Sequence, residues 1–261
     1  MIAIENVTQI LVALVFSGAR MGAALIVAPF FSSQLITGLA RNIVIINLTM
    51  ILVPLVMTAM PADISGWDFV VILLKEVFIG LMMGVIMGIV FFIADCAGAF
   101  IDTQRGSNMG QVFDPVAGDQ ITSLGSLFTK IVLYLFFVGG GFMAFLGLMY
   151  NSYKLWPIFA FFPNLRNPVF PQFVLEIADK IMLETVLIAA PIAIIMFLVE
   201  FGLGMMNRFA PQLNVFSLSM PIKSGVAMFI IILYMKIIIE LFKLQILDDR
   251  KTLILFEKIF S

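Results

Sequence analysis

The chain has 261 residues, of which 62% are hydrophobic and 12% are charged, and it contains 27 phenylalanines and 18 methionines. A soluble domain cannot bury so much apolar surface, so the composition predicts an integral membrane protein. A formal net charge of -1 gives no basic face for nucleic acid, and a single cysteine excludes an internal disulfide. Without histidine, metal sites and histidine catalysis are disfavoured, so we expect no cofactor, no metal and no enzyme.

The first apolar segment covers about residues 9–31 and carries Arg20 near its middle. An unpaired cation at the centre of a membrane helix costs about 2.5 to 3.5 kcal/mol, so Arg20 must face protein or water. The simplest expectations are that its side chain snorkels towards water or that it forms a structural pairing with an acidic neighbour. A polar connection at 32–42, a second apolar run at 43–60 and a turn containing Pro61 follow.

The third segment, residues 67–101, would be about 50 Å long as one helix, which exceeds a single membrane thickness. Gly80, Gly84 and Gly88 recur every four residues within it and therefore share one helix face. Such a face lets another backbone approach closely, and we expect it to form an assembly contact.

Three ionisable residues also lie in this segment. Lys75 and Glu76 are neighbours that point about 100° apart on a helix, so we expect each to have a separate partner. Asp95 admits two interpretations, a proton-relay group or a marker of the helix approaching a polar boundary.

Residues 102–122, DTQRGSNMGQVFDPVAGDQIT, form the first informative loop. Its glycines and Pro115 permit turns that other residues resist, and they frame an apolar tip at Met109, Val112 and Phe113. Such a tip calls for a pocket or a pore. The alternative is an exposed interhelical loop with a phenylalanine at the membrane surface.

The fourth apolar run, 124–150, contains three consecutive glycines at 139–141, which predict a flexible or kinked site. Four prolines between 151 and 172 predict an interfacial connector. The fifth segment begins with charges spaced by four at 176, 180 and 184 and continues through 185–206. Within it we expect Glu200 to be buried, either as a functional group or bonded to Arg208 or another subunit. The sixth run, 225–242, precedes a water-facing tail.

Residues 207–224, NRFAPQLNVFSLSMPIKS, separate the fifth and sixth runs. Two prolines disfavour helix there, and polar side chains can satisfy the freed backbone groups. Irregular backbone in a membrane protein needs protein or water around it, so we expect a packed structural motif. An ordinary interhelical turn is the alternative. The motif residues are Asn207, Arg208, Phe209, Pro211, Gln212, Asn214, Phe216, Pro221 and Lys223.

The string RFAPQLNVF followed by SMPIKS resembles the signature of the FliR/SctT/SpaR family, export-apparatus proteins of the flagellum and of virulence-type type III secretion systems. The SMPIKS ending with Lys223 looks more like the virulence branch. In the earlier loop, QRG followed by FDP is similar to the family's plug loop. The resemblance implies a pore plug or gate made of Gly106, Met109, Gly110, Val112, Phe113, Asp114 and Pro115.

The resemblance implies a non-enzymatic subunit, in the bacterial inner membrane, that helps to form and plug the channel through which unfolded proteins leave. The implied partners are FliP/SctR-like and FliQ/SctS-like subunits, an FlhB/SctU-like export-switch protein and the secreted proteins in transit. The predicted fold is one all-α membrane domain, 1–261, with about six long hydrophobic helices joined by broken or polar loops, within a helical multi-subunit assembly.

Two other functions are weighed on the residues alone. A secondary transporter or ion channel would use Arg20, Asp95 and Glu200 in a midplane site. Such transporters usually have two similar halves, whereas the two broken stretches here share little beyond phenylalanine and proline. An intramembrane enzyme is least favoured, because the chain has neither a histidine-based site nor a GxGD frame.

Overall fold

The computed structural model describes residues 2–31, 38–61, 65–107, 122–159, 169–209 and 215–260. All regular elements in these ranges are helices, which confirms the predicted all-α class. A short 3₁₀ turn, Pro29–Phe31, follows the first helix. The helices are α1 (Ile2–Val27), α2 (Gly38–Met50), α3 (Val53–Ala59), α4 (Gly66–Gln104), α5 (Ser123–Val138), α6 (Gly141–Leu155), α7 (Val169–Phe209) and α8 (Val215–Phe260).

Four of these helices contain segments long and apolar enough to cross a membrane. The segments are Gln9–Val27 in α1, Gly66–Gln104 in α4, Val174–Phe209 in α7 and Leu218–Ile246 in α8. The pairs α2–α3 and α5–α6 each pass the same test as one interrupted span, which brings the number to six in the described residues. The chain is therefore a multi-pass membrane protein.

The interruptions have local causes. The axes of α2 and α3 differ by 48°, and a proline lies in the first turn of α3, where no backbone donor is needed. Between α5 and α6, Gly140 has a left-handed backbone with φ 71°, which a side chain would strain. The kink predicted from the glycine triplet is confirmed.

Several helices are longer than predicted. The proline-rich connector is shorter than 151–172, because α6 continues to Leu155 and α7 begins at Val169. The tail is helical as far as Phe260. The prediction of irregular backbone throughout 207–224 is wrong, since α7 reaches Phe209 and α8 begins at Val215 with Pro221 inside it. One proline removes a single backbone hydrogen bond, a loss that a long membrane helix tolerates.

The described helices group into two compact units, and the expectation of a single domain stays a prediction. Unit 1 comprises Met1–Ile89, Gly140–Leu175 and Asp248–Ser261. Its α1 packs against α2 and α3, and the rings of Phe30 and Phe145 lie 5.3 Å apart in its core. Unit 2 comprises Val90–Gly139 and Glu176–Leu247. The ring centroids of Phe128 and Phe242 lie 6.1 Å apart within it.

The glycine face of α4 is used inside unit 1. A Cβ atom added to Gly84 would lie 2.6 Å from the carbonyl oxygen of Ala24, and one added to Gly80 would collide with the carbonyl oxygen of Arg20. Gly88 is also buried. The close helix that the spacing predicted is thus α1 of the same chain. The expectation of an assembly contact is wrong for Gly80 and Gly84, because α1 already occupies the space beside them.

We expect Gly84→Ala to destabilise the protein, because its new methyl group must displace the α1 backbone, at a cost of about 1 to 3 kcal/mol. Gly147→Ala in α6 is the matched control, since nothing lies within 4 Å of a Cβ atom there. It should be neutral or stabilising by up to about 1 kcal/mol through helix propensity. Thermal unfolding in detergent measures both. Equal melting temperatures would show that α1 and α4 are not tightly packed.

Candidate functional site

Unit 1 contains a buried ion pair between α1 and α4. Arg20 Nε donates to Glu76 Oε2 at 2.7 Å, and a terminal nitrogen of the same guanidinium donates to Oε1 at 3.0 Å. Both side chains are 0% exposed. This two-pronged geometry fits the planar guanidinium to the carboxylate and is the strongest form of such a bond. Arg20 therefore lies buried beside an acid, which is the pairing that the sequence left open beside snorkelling.

The end of α6 completes the surroundings of Arg20. Its guanidinium also donates to Ser152 Oγ at 3.0 Å and to the carbonyl oxygen of Trp156 at 2.9 Å. The same group lies 4.2 Å from the centre of the Tyr153 ring, and the Tyr153 hydroxyl donates to the carbonyl oxygen of Ser17. A buried charge is tolerated when it is paired and its donors are satisfied, and Arg20 meets this condition.

Lys75 adds a second cation to the cluster. Its Nζ lies 3.2 Å from Glu76 Oε1, so the expectation that these neighbours would not pair is wrong. The flexible lysine stem reaches back to the carboxylate, although the two Cβ atoms diverge. Lys75 also donates to the carbonyl oxygens of Pro157 and Ile158, just beyond α6. These two carbonyls lie in the chain after the helix, and by accepting from the ammonium they satisfy the Lys75 donors that burial removes from water.

A second network lies in unit 2, at the end of α4. Asp102 is fully buried. Its Oδ1 accepts from Arg105 Nε at 2.6 Å, and its Oδ2 accepts from the backbone nitrogen of Leu124 at 2.8 Å. Thr122 caps α5 by accepting from the Gly125 nitrogen at 3.2 Å. One carboxylate thus joins the end of α4 to the first turn of α5, where unpaired backbone donors and the helix dipole favour an anion.

The same network brings the two informative sequence stretches together. Arg105 donates to Ser224 Oγ on α8 at 3.3 Å. Gly106 has φ 79°, and a Cβ atom there would lie 3.6 Å from the Met220 side chain. Next to Ser224, Lys223 makes a salt bridge of 3.0 Å with Glu200 on α7. Arg105 and Gly106, at the start of the predicted plug loop, therefore meet the last residues of the 207–224 motif.

The exposure of Glu200 differs from what the sequence predicted. Its side chain is 62% exposed, so the expectation of a buried carboxylate is wrong for this chain, and its salt bridge runs to Lys223 on α8. Lys223 itself is buried, with 11% of its side chain exposed. Arg208 lies eight residues further on, about 12 Å along the α7 axis and about 80° round it. Side chains on one helix pair at spacings of three or four residues, so Arg208 is not well placed to be the partner.

The other predicted site residues fall into two groups. Asn207, Arg208 and Phe209 lie exposed at the end of α7, Phe216 and Pro221 belong to α8, and Gly106 lies in the turn after α4. Outside the described residues are Met109, Gly110, Val112, Phe113, Asp114, Pro115, Pro211, Gln212 and Asn214. Their assignments to a plug and to a structural motif stay predictions.

Sequence reasoning did not single out Asp102, Arg105 or Ser224 as site residues. The spacing of three between Asp102 and Arg105 on a helix was a usable signal for an ion pair. Nothing local pointed to Ser224, which lies 119 residues from Arg105. Among the described residues, no group of three or more potential ligands is placed to hold a metal ion.

The sequence profile described as "Bacterial export proteins, family 1" matches residues 11–248. "Yop proteins translocation protein T" of Yersinia pestis is 35% identical over 216 residues, covering 82% of each chain. "Secretion system apparatus protein SsaT" of Salmonella typhimurium is 30% identical, covering 84% of this chain and 85% of the relative. "Flagellar biosynthetic protein FliR" of Bacillus subtilis is 29% identical over 65% of this chain and 66% of the relative.

We expect Glu76→Gln to destabilise unit 1 strongly, because it leaves Arg20 and Lys75 buried without their shared anion. Removing one partner of a buried pair costs about 3 to 5 kcal/mol. The exposed Glu240→Gln on α8 is the matched control and should change stability by less than about 0.5 kcal/mol. Unfolding in detergent, followed by near-ultraviolet circular dichroism, compares the two. Similar stabilities would mean that the cluster contributes nothing to the fold.

Proposed function

Because this chain belongs to family 1 of the bacterial export proteins, we propose that it is a membrane subunit of a type III secretion export apparatus. The observation that carries this proposal is the family match from α1 to α8, residues 11–248. Relatives named for Yop translocation and for a secretion-system apparatus, at 35% and 30% identity, support a virulence-type system. The proposed location is the bacterial inner membrane.

The distribution of charges supports a non-enzymatic role in this proposal. Arg20 and Glu76 are fully enclosed and engaged with each other, which leaves them no contact with a substrate. Asp102 and Arg105 are likewise engaged in joining helices. Side chains that are held in this way stabilise a scaffold. A scaffold whose polar groups are satisfied internally suits a subunit that builds a channel with other proteins.

The low burial of α7 and α8 supports a multi-subunit assembly. In the most apolar window of α4, 67% of the residues are buried, against 28% in α7 and 22% in α8. These two helices therefore have broad surfaces available to lipid or to other subunits. The proposed partners are the FliP/SctR-like and FliQ/SctS-like subunits and the FlhB/SctU-like export-switch protein, with secreted proteins passing through the assembled channel.

The loop from Gly106 to Pro115 is proposed to plug that channel at rest. Asp102 binds residues on both sides of this loop, Arg105 before it and the Leu124 nitrogen after it. Such an anchor would hold the base of a plug at a constant position. The proposal rests further on the likeness of QRG and FDP to the plug loop of the family.

Co-purification and secretion together test the export role. A tagged copy of the full chain, isolated from native membranes, should carry the small hydrophobic export subunits with it. Deleting the chain should abolish secretion of all substrates, because the channel would lack one of its subunits. Restoring the chain should restore secretion. Purification without any export subunit, together with normal secretion in the deletion strain, would refute the proposal. Solute flux by the chain alone in liposomes would support a transporter instead.

Removing residues 110–117 is expected to make cells leaky to small ions while the complex still assembles, because the proposed plug would be missing. Dye or ion flux across the membrane measures the leak, and native gels measure assembly. An equal number of Gly and Ser residues in place of 110–117 is the control for loop length, and it should leak as well. If the deletion variant assembles and the membrane does not leak dye or ions, the loop is only a connector.

A further inference from the structure

Glu200 carries an exposed carboxylate on α7. It lies within the membrane-length segment Val174–Phe209, yet 62% of its side chain is exposed. The Lys223 ammonium that it binds at 3.0 Å is buried instead. The two partners of this salt bridge therefore differ in exposure: the cation lies inside unit 2 and the anion lies on the surface. A carboxylate left in hydrocarbon is unfavourable, so this surface suits a polar partner better than lipid tails.

The neighbours of Glu200 on the same face of α7 favour a helix as that partner. Gly204 lies one turn along, about 40° round the helix, and Asn207 lies about 20° to the other side. Both are exposed, and nothing lies within 4 Å of a Cβ atom built on Gly204. A glycine lets another backbone come close, and an amide side chain can form hydrogen bonds between helices.

We propose that this surface, defined by Glu200, Gly204 and Asn207 and called here the α7 polar face, binds a membrane helix of another export-apparatus subunit. The partner helix presents a lysine, an arginine or an amide donor to Glu200 and crosses closest at Gly204. This assignment rests on the proposed export function and adds the contact surface and the chemistry of its partner. Arg208, about 80° round from Glu200, lies at the margin of the face.

Charge and symmetry argue against a second copy of the chain as the occupant. Copies of one chain share their orientation in the membrane, so a two-fold axis along the membrane normal would place two α7 helices parallel. Glu200 would then oppose Glu200 at the same depth, and like charges repel. Anionic lipid headgroups are disfavoured for the same reason. A donor on a different subunit satisfies the carboxylate without this repulsion.

Photocrosslinking in native membranes tests the assignment. The full, tagged chain carries p-benzoylphenylalanine in place of Gly204 and is expressed with the rest of its secretion system. We expect an adduct with an export subunit, at an apolar segment that has a Lys, Arg, Asn or Gln within one turn. Adding Glu200→Ala should lower the adduct yield about fivefold or more, as expected for the loss of one interhelical polar contact.

Gly202 supplies the matched control. It is also exposed with open space beside it, but it lies about 160° round the helix from Gly204. The same crosslinker there should give a yield that does not depend on Glu200. Because Glu200→Ala leaves Lys223 without its anion, the double variant Glu200→Gln/Lys223→Gln, which removes both charges together, should show the same loss at Gly204.

A second readout avoids the bulky crosslinker. In a Cys96→Ser background, which removes the one exposed cysteine, Gly204→Cys should react with a membrane-permeant maleimide more slowly in the assembled complex than in the chain expressed alone. Gly202→Cys should react equally in both. An adduct between two copies, a lipid adduct alone, or yields independent of Glu200 would overturn the α7 assignment while co-purification still upheld the export function. Absence of any co-purifying export subunit would overturn both.

Discussion

The pairing of Arg20 with Glu76 is the interaction on which the packing of unit 1 depends. A guanidinium in the middle of an apolar helix is tolerable only with an anion and further acceptors around it. Glu76 on α4 provides the anion at 2.7 Å, and Ser152 and the Trp156 carbonyl on and after α6 provide the rest. Three elements distant in sequence must therefore meet at one point. Lys75 extends the same requirement to the carbonyls of Pro157 and Ile158, so the end of α6 is held by two cations.

Close backbone approach is the second requirement, and glycine meets it in both units. In unit 1, Gly80 and Gly84 bring α4 against the backbone of α1 next to Arg20, which places Glu76 within reach of the guanidinium. In unit 2, a Cβ atom on Gly98 would collide with the backbone of Gly125. That contact brings the start of α5 against α4, where Asp102 accepts from the Leu124 nitrogen. Small residues and ionic groups thus occur at the same helix contacts.

The two networks leave α7 and α8 with most of their apolar surface open, and this suits a subunit whose remaining contacts come from other chains. Membership of a bacterial export family and the relatives named for secretion are consistent with that arrangement. Glu200 is informative here because the two ends of its salt bridge differ in exposure: the Lys223 ammonium is buried and the Glu200 carboxylate is exposed. The carboxylate of Glu200, next to the exposed Gly204 and Asn207, gives this part of α7 a surface polar enough to select its neighbour.

The sequence by itself determined the membrane class, the all-helical fold, the length of α4, the kink at Gly140 and the family, because each follows from composition, from glycine and proline, or from a continuous string of residues. It also predicted that Arg20 either snorkels towards water or pairs with an acid. Only the tertiary structure decided that this acid is Glu76, that α1 covers Gly80 and Gly84, that Asp102 joins α4 to α5, and that Glu200 binds Lys223. The Arg20–Glu76 partners are 56 residues apart and the Arg105–Ser224 partners 119. A side chain's local pattern shows that it needs a partner, but which partner it finds depends on how separate helices pack, and no single stretch of sequence contains that information.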